Sequence, residues 1–546
     1  MRRWRSRAGR RPSPECDLAG ALDALTADEL RSFVRDALER LDDDSQRELV
    51  DSLVARAAKG STGWKPPGPA ARLAEEVERF TEAARRVGYA DANDVDDYLR
   101  QGAKAFLAGE PATARRVFET LLPPIADVDI DLGQHELVDE VLAVNIQEVA
   151  AQYLASVYVT TPLAHRAAAI SNAIDTIEGI SSFWEPIAQM ESVSTGPLPD
   201  VDAFLPRWVE QLRREPAPIG EWERARDRWL REAVLRLEGI SGLERLARRT
   251  KQPEALRAWC DALVDREDWR SALAAYDDAA DLVGKSLWRG SFLDGAALAA
   301  HALGRRDATK RLERAWLEAP SLPRLVRWLG AGSPSSSTLA RRARQATTSC
   351  PAKSGRQMGL LHLLTGRLHA AAKLLTAAPG LGWSHEDHPG HLLFPAFAGL
   401  LGAGTGARVA SDLAALLQAP ALDPLDLDPA LDIDDVSGKP TLNTPSVTDL
   451  ITASDLHTTM DTSTRLALLE AMRVAATRRV EGILRNKRRR HYGRAAMLVA
   501  CCLELAPVVG RQEAIADWVA DMRKQYSRFS AFQGALEIAL ERCSPL

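Results

Sequence analysis

Three histidines, His385, His388 and His391, fall in the segment HEDHPGH. Imidazoles at spacings of three could converge on zinc or another transition metal if one turn held them on one face. Pro389 and Gly390 interrupt any helix here, and no HExxH pair or distant partner residue fixes a coordination geometry. The alternative is a capped connector before the apolar segment LLFPAFAGLL. A second candidate is the run Arg485-Asn486-Lys487-Arg488-Arg489-Arg490-His491-Tyr492 with Arg494, which could grip phosphates or an acidic partner through charge-assisted hydrogen bonds. Tyr492 could stack on a base. The competing reading is a solvated face at the end of a long helix, where cations also suit the C-terminal dipole. The run could equally latch onto the acidic stretch at 423 to 435, an attraction that salt would screen.

Other patterns that resemble chemistry lack their context. GAGTGA at 402 to 407 has the glycines of a phosphate-cradling loop, but it follows a helical pattern and carries no GK[ST], so a helix-to-helix turn is expected. Asp423, Asp426, Asp428, Asp432, Asp434 and Asp435 lack the central glycine and closing glutamate of a calcium loop. There is no GxSxG elbow, and Cys260, Cys501 and the other four cysteines form no CxxC or CxC pair. Cys501 and Cys502 are expected to fill the core of the AAMLVACCLELA helix. Trp222 and Trp229 stand two helical turns apart, on a stripe expected to lie between helices. These residues imply no enzyme and no cofactor.

The elements that must position these residues are helical. The 546 residues are rich in Ala, Leu, Arg, Asp and Glu and poor in aromatics, which suits amphipathic helices rather than sheets. A net charge of −5 from 70 basic and 75 acidic residues argues against a protein devoted to wrapping nucleic acid. No apolar run is long enough to span a membrane, and the basic start MRRWRSRAGRRPSPE leads into no signal-length apolar stretch; a cytoplasmic location is expected. Along the chain we expect a disordered basic tail at 1–16, a helical hairpin at 17–60 with Thr26 and Asp44 as N-caps, and a linker at 61–70. A repeat body follows at 71–418, with a polar break at 333–337, then an acidic flexible loop at 419–447 and a helical bundle at 448–546.

An internal repeat carries the fold assignment. Gly102, Gly109, Ala114, Phe118 and Leu121 recur in spacing at Gly359, Gly366, Ala371, Leu375 and Ala378. Cys260, Glu267, Ala272, Tyr276 and Ala279 keep the same register, and Ala308, Leu312, Ala315 and Pro320 make a fourth copy. Two antiparallel helices cross closely only where small residues sit, while the bulky residue between them fills a neighbour's groove. The segments GAKAFLAGEPATARRVFETLL and GLLHLLTGRLHAAAKLLTAA resemble tetratricopeptide repeats. That resemblance implies an all-α, irregular solenoid of helical hairpins that binds proteins. KRRRHYGRAAMLVACCLELA and WSHEDHPGHLLFPAFAGLL are loosely similar to helical regions of bacterial proteins with SWIM-type zinc fingers, but the CxC and CxH ligands are missing here. No nucleic-acid role is carried over from that finger.

The expected function is therefore a non-enzymatic scaffold or adaptor, its surface shaped by 102–121 and 359–378, within a bacterial multi-protein system such as a defence or stress assembly. Two alternatives remain: a nucleic-acid-associated factor using 485–494, or a regulated substrate or inhibitor cut or modified at 419–447.

Overall fold

The computed structural model describes residues 21–22, 24–134, 137–214, 225–385, 387–419, 442–456 and 460–543. Among them are 25 α-helices and no strand, with one isolated bridge between Tyr89 and Asp131. The basic tail and the acidic series from Asp423 to Asp435 lie outside the described residues. No described helix is long and apolar enough to cross a membrane. The chain divides into two compact units, residues 1–243 and 244–546.

In the first unit the N-terminal hairpin is Ala27–Leu38 followed by Asp43–Lys59. Thr26 caps the first helix, and its hydroxyl and the Glu29 carboxylate complete a capping box. The second helix starts earlier than expected. Asp42, not Asp44, is its N-cap, because the Asp42 carboxylate accepts the Ser45 N–H at 2.9 Å. Residues 61–70 form no helix. Ala92–Ala108 then pairs with Pro111–Ala126, and Ile146–Thr160 packs on the second of these.

The second unit repeats the hairpin: Pro253–Val264 with Trp269–Leu282, Arg289–Ala302 with Ala308–Glu318, and Gly355–Leu364 with Leu368–Ala377. One backbone turn recurs at these connections. The N–H groups of Glu110, Asp268, Arg305 and Arg367 donate to the carbonyls of Ala105, Leu263, Ala300 and His362 at 2.8 to 3.0 Å. In each, the preceding residue is left-handed: Gly109 at φ 89°, Glu267 at 56°, Gly304 at 62° and Gly366 at 69°. This is the Schellman closure, which satisfies helix-terminal carbonyls and reverses the chain. Glu267 adopts it without being glycine. The same closure appears where no repeat was expected, at Lys487 with Arg488 and at Gly510 with Arg511.

Two boundary expectations change. The stretch 71–418 is not one body, since the units part between Leu243 and Glu244. Nor does 419–447 separate a C-terminal bundle: one hydrophobic core runs from Trp316 through Leu393 and Met472 to Ala539. The reason is that the long helix Thr462–Arg485 packs on Leu368–Ala377 and Gly390–Gly402 as well as on Tyr492–Leu505. Thr444 and Pro445 also bind back: Arg327 donates to the Thr444 hydroxyl at 2.7 Å, and Pro445 lies against Gly330.

Candidate functional surfaces

The repeat residues are packing residues. A Cβ on Gly102 would come within 2.7 Å of the Phe118 ring, and one on Gly359 within 3.0 Å of Leu393. Phe118 also meets Tyr153 of the next helix edge-on, at 6.4 Å between ring centres. Tyr276 lies across Gly295 in the same manner. Ala114, Ala272, Ala371 and Leu375 are buried with them. In the fourth copy Ala308 and Leu312 are only half-buried, while Ala315, an expected position, and the neighbouring Trp316 are fully buried. Residues 102–121 and 359–378 thus hold helices together through their interior faces and offer little apolar surface to a partner.

An apolar surface does stand open on the N-terminal hairpin. Leu30, Phe33, Val34, Ala37, Leu38 and Leu41 recur at helical spacing; Leu30, Val34, Ala37 and Leu38 are half-buried, none is fully buried, and Phe33 is 61% exposed. Leu49, Val50 and Leu53 on the second helix are exposed as well. That helix is nevertheless anchored, by buried Ala58 and by the ion pairs Asp51–Arg100 and Lys59–Glu148.

The three histidines do not converge as ligands. His388 is buried and stacked on Trp383 at 5.3 Å. Its Nε2 lies 2.7 Å from the Pro379 carbonyl, and its Nδ1 is 3.0 Å from the Gly390 N–H. A carbonyl can only accept and an amide N–H only donate, so Nε2 carries the proton and the Nδ1 lone pair is taken. His385 is exposed, and His391 sits half-buried in the first turn of Gly390–Gly402. The segment is the capped connector.

The basic run forms a turn between Thr462–Arg485 and Tyr492–Leu505. Arg485 pairs with Glu481 at 2.5 Å, while Lys487, Arg488, Arg489, Arg490 and Arg494 are exposed. Tyr492 points inward, 6% exposed and edge-on to Phe532, so it cannot stack on a base. The pairing expected with the acidic stretch lies outside the described residues. What surrounds the run is more positive charge. Burial and the nearby Arg488 and Arg494 lower the Arg479 pKa. Burial with Arg356, Arg494, His388 and Arg479 pushes His391 down to about 4. None of Arg356, His391 and Arg479 belongs to the run, and only the fold brings them to it.

The remaining candidates resolve into structure. GAGTGA is a turn with Gly404 and Gly406 left-handed, and the helix it opens, Arg408–Ala414, already has an anion at its N-terminus. The buried Glu504 carboxylate accepts the N–H groups of Arg408, Val409 and Ala410 at 2.8, 3.2 and 2.9 Å. Glu232 does likewise for Pro186–Val193, accepting from Ile187 at 3.2 Å and Ala188 at 2.7 Å. Cys260, Cys501 and Cys502 are buried, and desolvation raises each thiol well above its usual range. Trp229 donates to the Phe183 carbonyl at 2.7 Å and stacks on Trp208; Trp222 lies outside the described residues.

Among the described residues these features define an all-α protein of helical hairpins, with an N-terminal hairpin whose apolar face is only partly covered. No protein-family model matches the chain. No curated protein matches it either.

Proposed function

We propose that this protein is a non-enzymatic adaptor, and that its N-terminal hairpin is the element that docks a partner protein. The supporting observation is the apolar stripe from Leu30 to Leu41: Phe33 and Leu41 are exposed and Leu30, Val34, Ala37 and Leu38 only half-buried, beside the exposed Leu49, Val50 and Leu53. A contiguous apolar patch left in water is an unfavourable surface unless another surface covers it. Charged residues rim the stripe, among them Asp28, Arg31, Arg35 and Asp36, which suits a partner presenting an amphipathic helix with its own charged edges. The tetratricopeptide-like hairpins fit the same role, with their bulky residues spent on packing and the binding surface carried by the N-terminal hairpin.

The test is affinity capture from the source cell after nuclease treatment, comparing the wild type with a Phe33→Asp/Leu53→Asp variant. Both residues are exposed, so the thermal melt should be unchanged. Stoichiometric protein partners on the wild type that are lost from the variant support the proposal. The same partners on both proteins would refute it.

A further inference from the structure

A cleft of about 360 Å³ opens in the second unit, and nothing in it depends on the adaptor reading. The helix Gly390–Gly402 forms its floor, Arg408–Ala414 with the turn after it forms one wall, and Val447–Ala453 forms the other. More than half of the residues that line it are glycine or alanine, and none is charged. These small residues let the helices meet closely: a Cβ on Gly399 would stand 3.1 Å from that of Ala414. They are too short to fill the space beside the contact. Leu400, Leu417 and Ile451 are buried in the lining and give the cleft an apolar side. A space of this size suits a small molecule.

The polar groups around the cleft are uncommitted. The hydroxyls of Thr448 and Thr452, one helical turn apart, and the side-chain amide of Gln418 hydrogen-bond to no described residue. The floor helix also ends here without closure. Its chain leaves through Ala403 at φ −58° and ψ 121°, and the Ala403 and Gly404 N–H groups make no backbone hydrogen bond. The Thr405 N–H and hydroxyl both go to the Gly402 carbonyl, at 3.1 and 2.8 Å. The carbonyls of Leu400 and Leu401 therefore lack the bonds that the Schellman turns supply at Gly109, Gly304 and Gly366. Helix carbonyls point along the axis toward the C-terminus, and it is there that Ala403, Gly404 and Gly406 line the cleft. One side of the cleft thus offers acceptor oxygens at the negative end of a helix, and the other offers aliphatic side chains.

We propose that this cleft binds a small amphipathic amine, with its apolar body against Leu417 and Ile451 and its ammonium group at the unclosed end of Gly390–Gly402. An ammonium carries three donors, which suit the Leu400 and Leu401 carbonyls together with the threonine hydroxyl oxygens. An alcohol brings one donor. A carboxylate brings none, and its charge opposes the negative end of the helix. Because the lining holds no carboxylate, fixed dipoles rather than an ion pair select the head group, and the affinity is modest.

The test is a ligand-observed NMR titration of the full chain with phenethylamine, phenethyl alcohol and hydrocinnamate, molecules of similar size that differ in the head group. The variants Ala415→Phe and Thr452→Phe each place a ring in the cleft; both positions are exposed, so the thermal melt should be unchanged. The expected result is saturable binding of phenethylamine at neutral pH, about five- to tenfold tighter than that of hydrocinnamate, with the alcohol between them. Either phenylalanine variant should weaken the amine about tenfold or more. Absence of saturable binding, binding that both variants leave unchanged, or an alcohol or acid bound as tightly as the amine overturns the proposal. Should a phenylalanine variant lower the melt, Thr448→Val/Thr452→Val decides, since it removes the two hydroxyls and keeps the side-chain shape. It should weaken the amine about two- to fivefold, and amine binding as tight as in the wild type overturns the proposal.

Discussion

Replacing Gly295 by alanine adds one methyl group to the middle of a helix, a change that in isolation stabilises helices by about 1 kcal/mol. In this protein the methyl group would be built 2.3 to 2.6 Å from three atoms of the Tyr276 ring. Tyr276 is 5% exposed and enclosed by its own hairpin, so the ring cannot swing into water to make room. Overpacking of this kind costs about 1 to 3 kcal/mol, and contacts this short belong at the upper end. The net expectation is a loss of about 1 to 2 kcal/mol after the helix-propensity gain is subtracted. Gly534 supplies the internal control: it too lies inside a helix, Ser530–Glu541, but a Cβ there meets nothing within 4 Å. Gly534→Ala should therefore stabilise by about 0.5 to 1 kcal/mol. Urea unfolding monitored by circular dichroism would resolve the opposite signs, and Tyr276→Leu in the Gly295→Ala background should recover part of the loss through coupling. Gly295→Ala stabilising the protein as much as Gly534→Ala would refute the close crossing on which the hairpin packing rests.

Three further outcomes follow from other sites. Glu267→Gly should stabilise by about 1 kcal/mol in the same unfolding assay, because Glu267 holds φ 56° where a side chain is strained; a loss instead would mean the turn is not left-handed. Glu504→Gln should destabilise by about 1 to 3 kcal/mol, since an amide cannot accept three N–H groups with both of its heavy atoms. Hydrogen exchange would show the amides of Arg408, Val409 and Ala410 losing protection first. His391 is neutral in the fold with its pKa near 4, below the usual 6.5 of the unfolded chain. Its contribution is present above about pH 6.5 and is lost as the pH falls toward 4, because the unfolded chain takes up the proton first. Partial exposure reduces the full effect to about 1 to 2 kcal/mol. The slope of stability against pH between 4 and 6.5 should be shallower in His391→Gln, and an unchanged slope would remove His391 as its source.

The hairpin register was legible because it is written in residue size. Gly102 with Phe118 and Gly359 with Leu393 need a small residue where two helices touch, and spacing alone reveals that requirement. Glu267 could be placed at the turn only by register, since nothing in a glutamate marks a left-handed residue. The fourth copy shows the limit of spacing: Ala308 and Leu312 keep the apolar pattern yet are only half-buried, while Ala315 of the same pattern is fully buried. The closures at Lys487 and Gly510 went unrecognised for a related reason, as only a backbone hydrogen bond defines them.

For the candidate sites the division falls between local and remote determinants. Local chemistry decided that HEDHPGH is a connector and that GAGTGA is a turn, because proline and glycine restrict or free the backbone at their own positions. It also placed Thr26 at a helix start, where its hydroxyl and Glu29 are close in the chain. Only the tertiary structure could put Glu504 on the N-terminus of Arg408–Ala414, or bring Arg356, His391 and Arg479 to the basic turn at Arg488 and Arg494. It also buried Tyr492 and left Phe33 in water, although both sit in helical apolar patterns. A pattern states that a side chain needs cover; which neighbour supplies it, and whether one does, depends on segments far away in the chain.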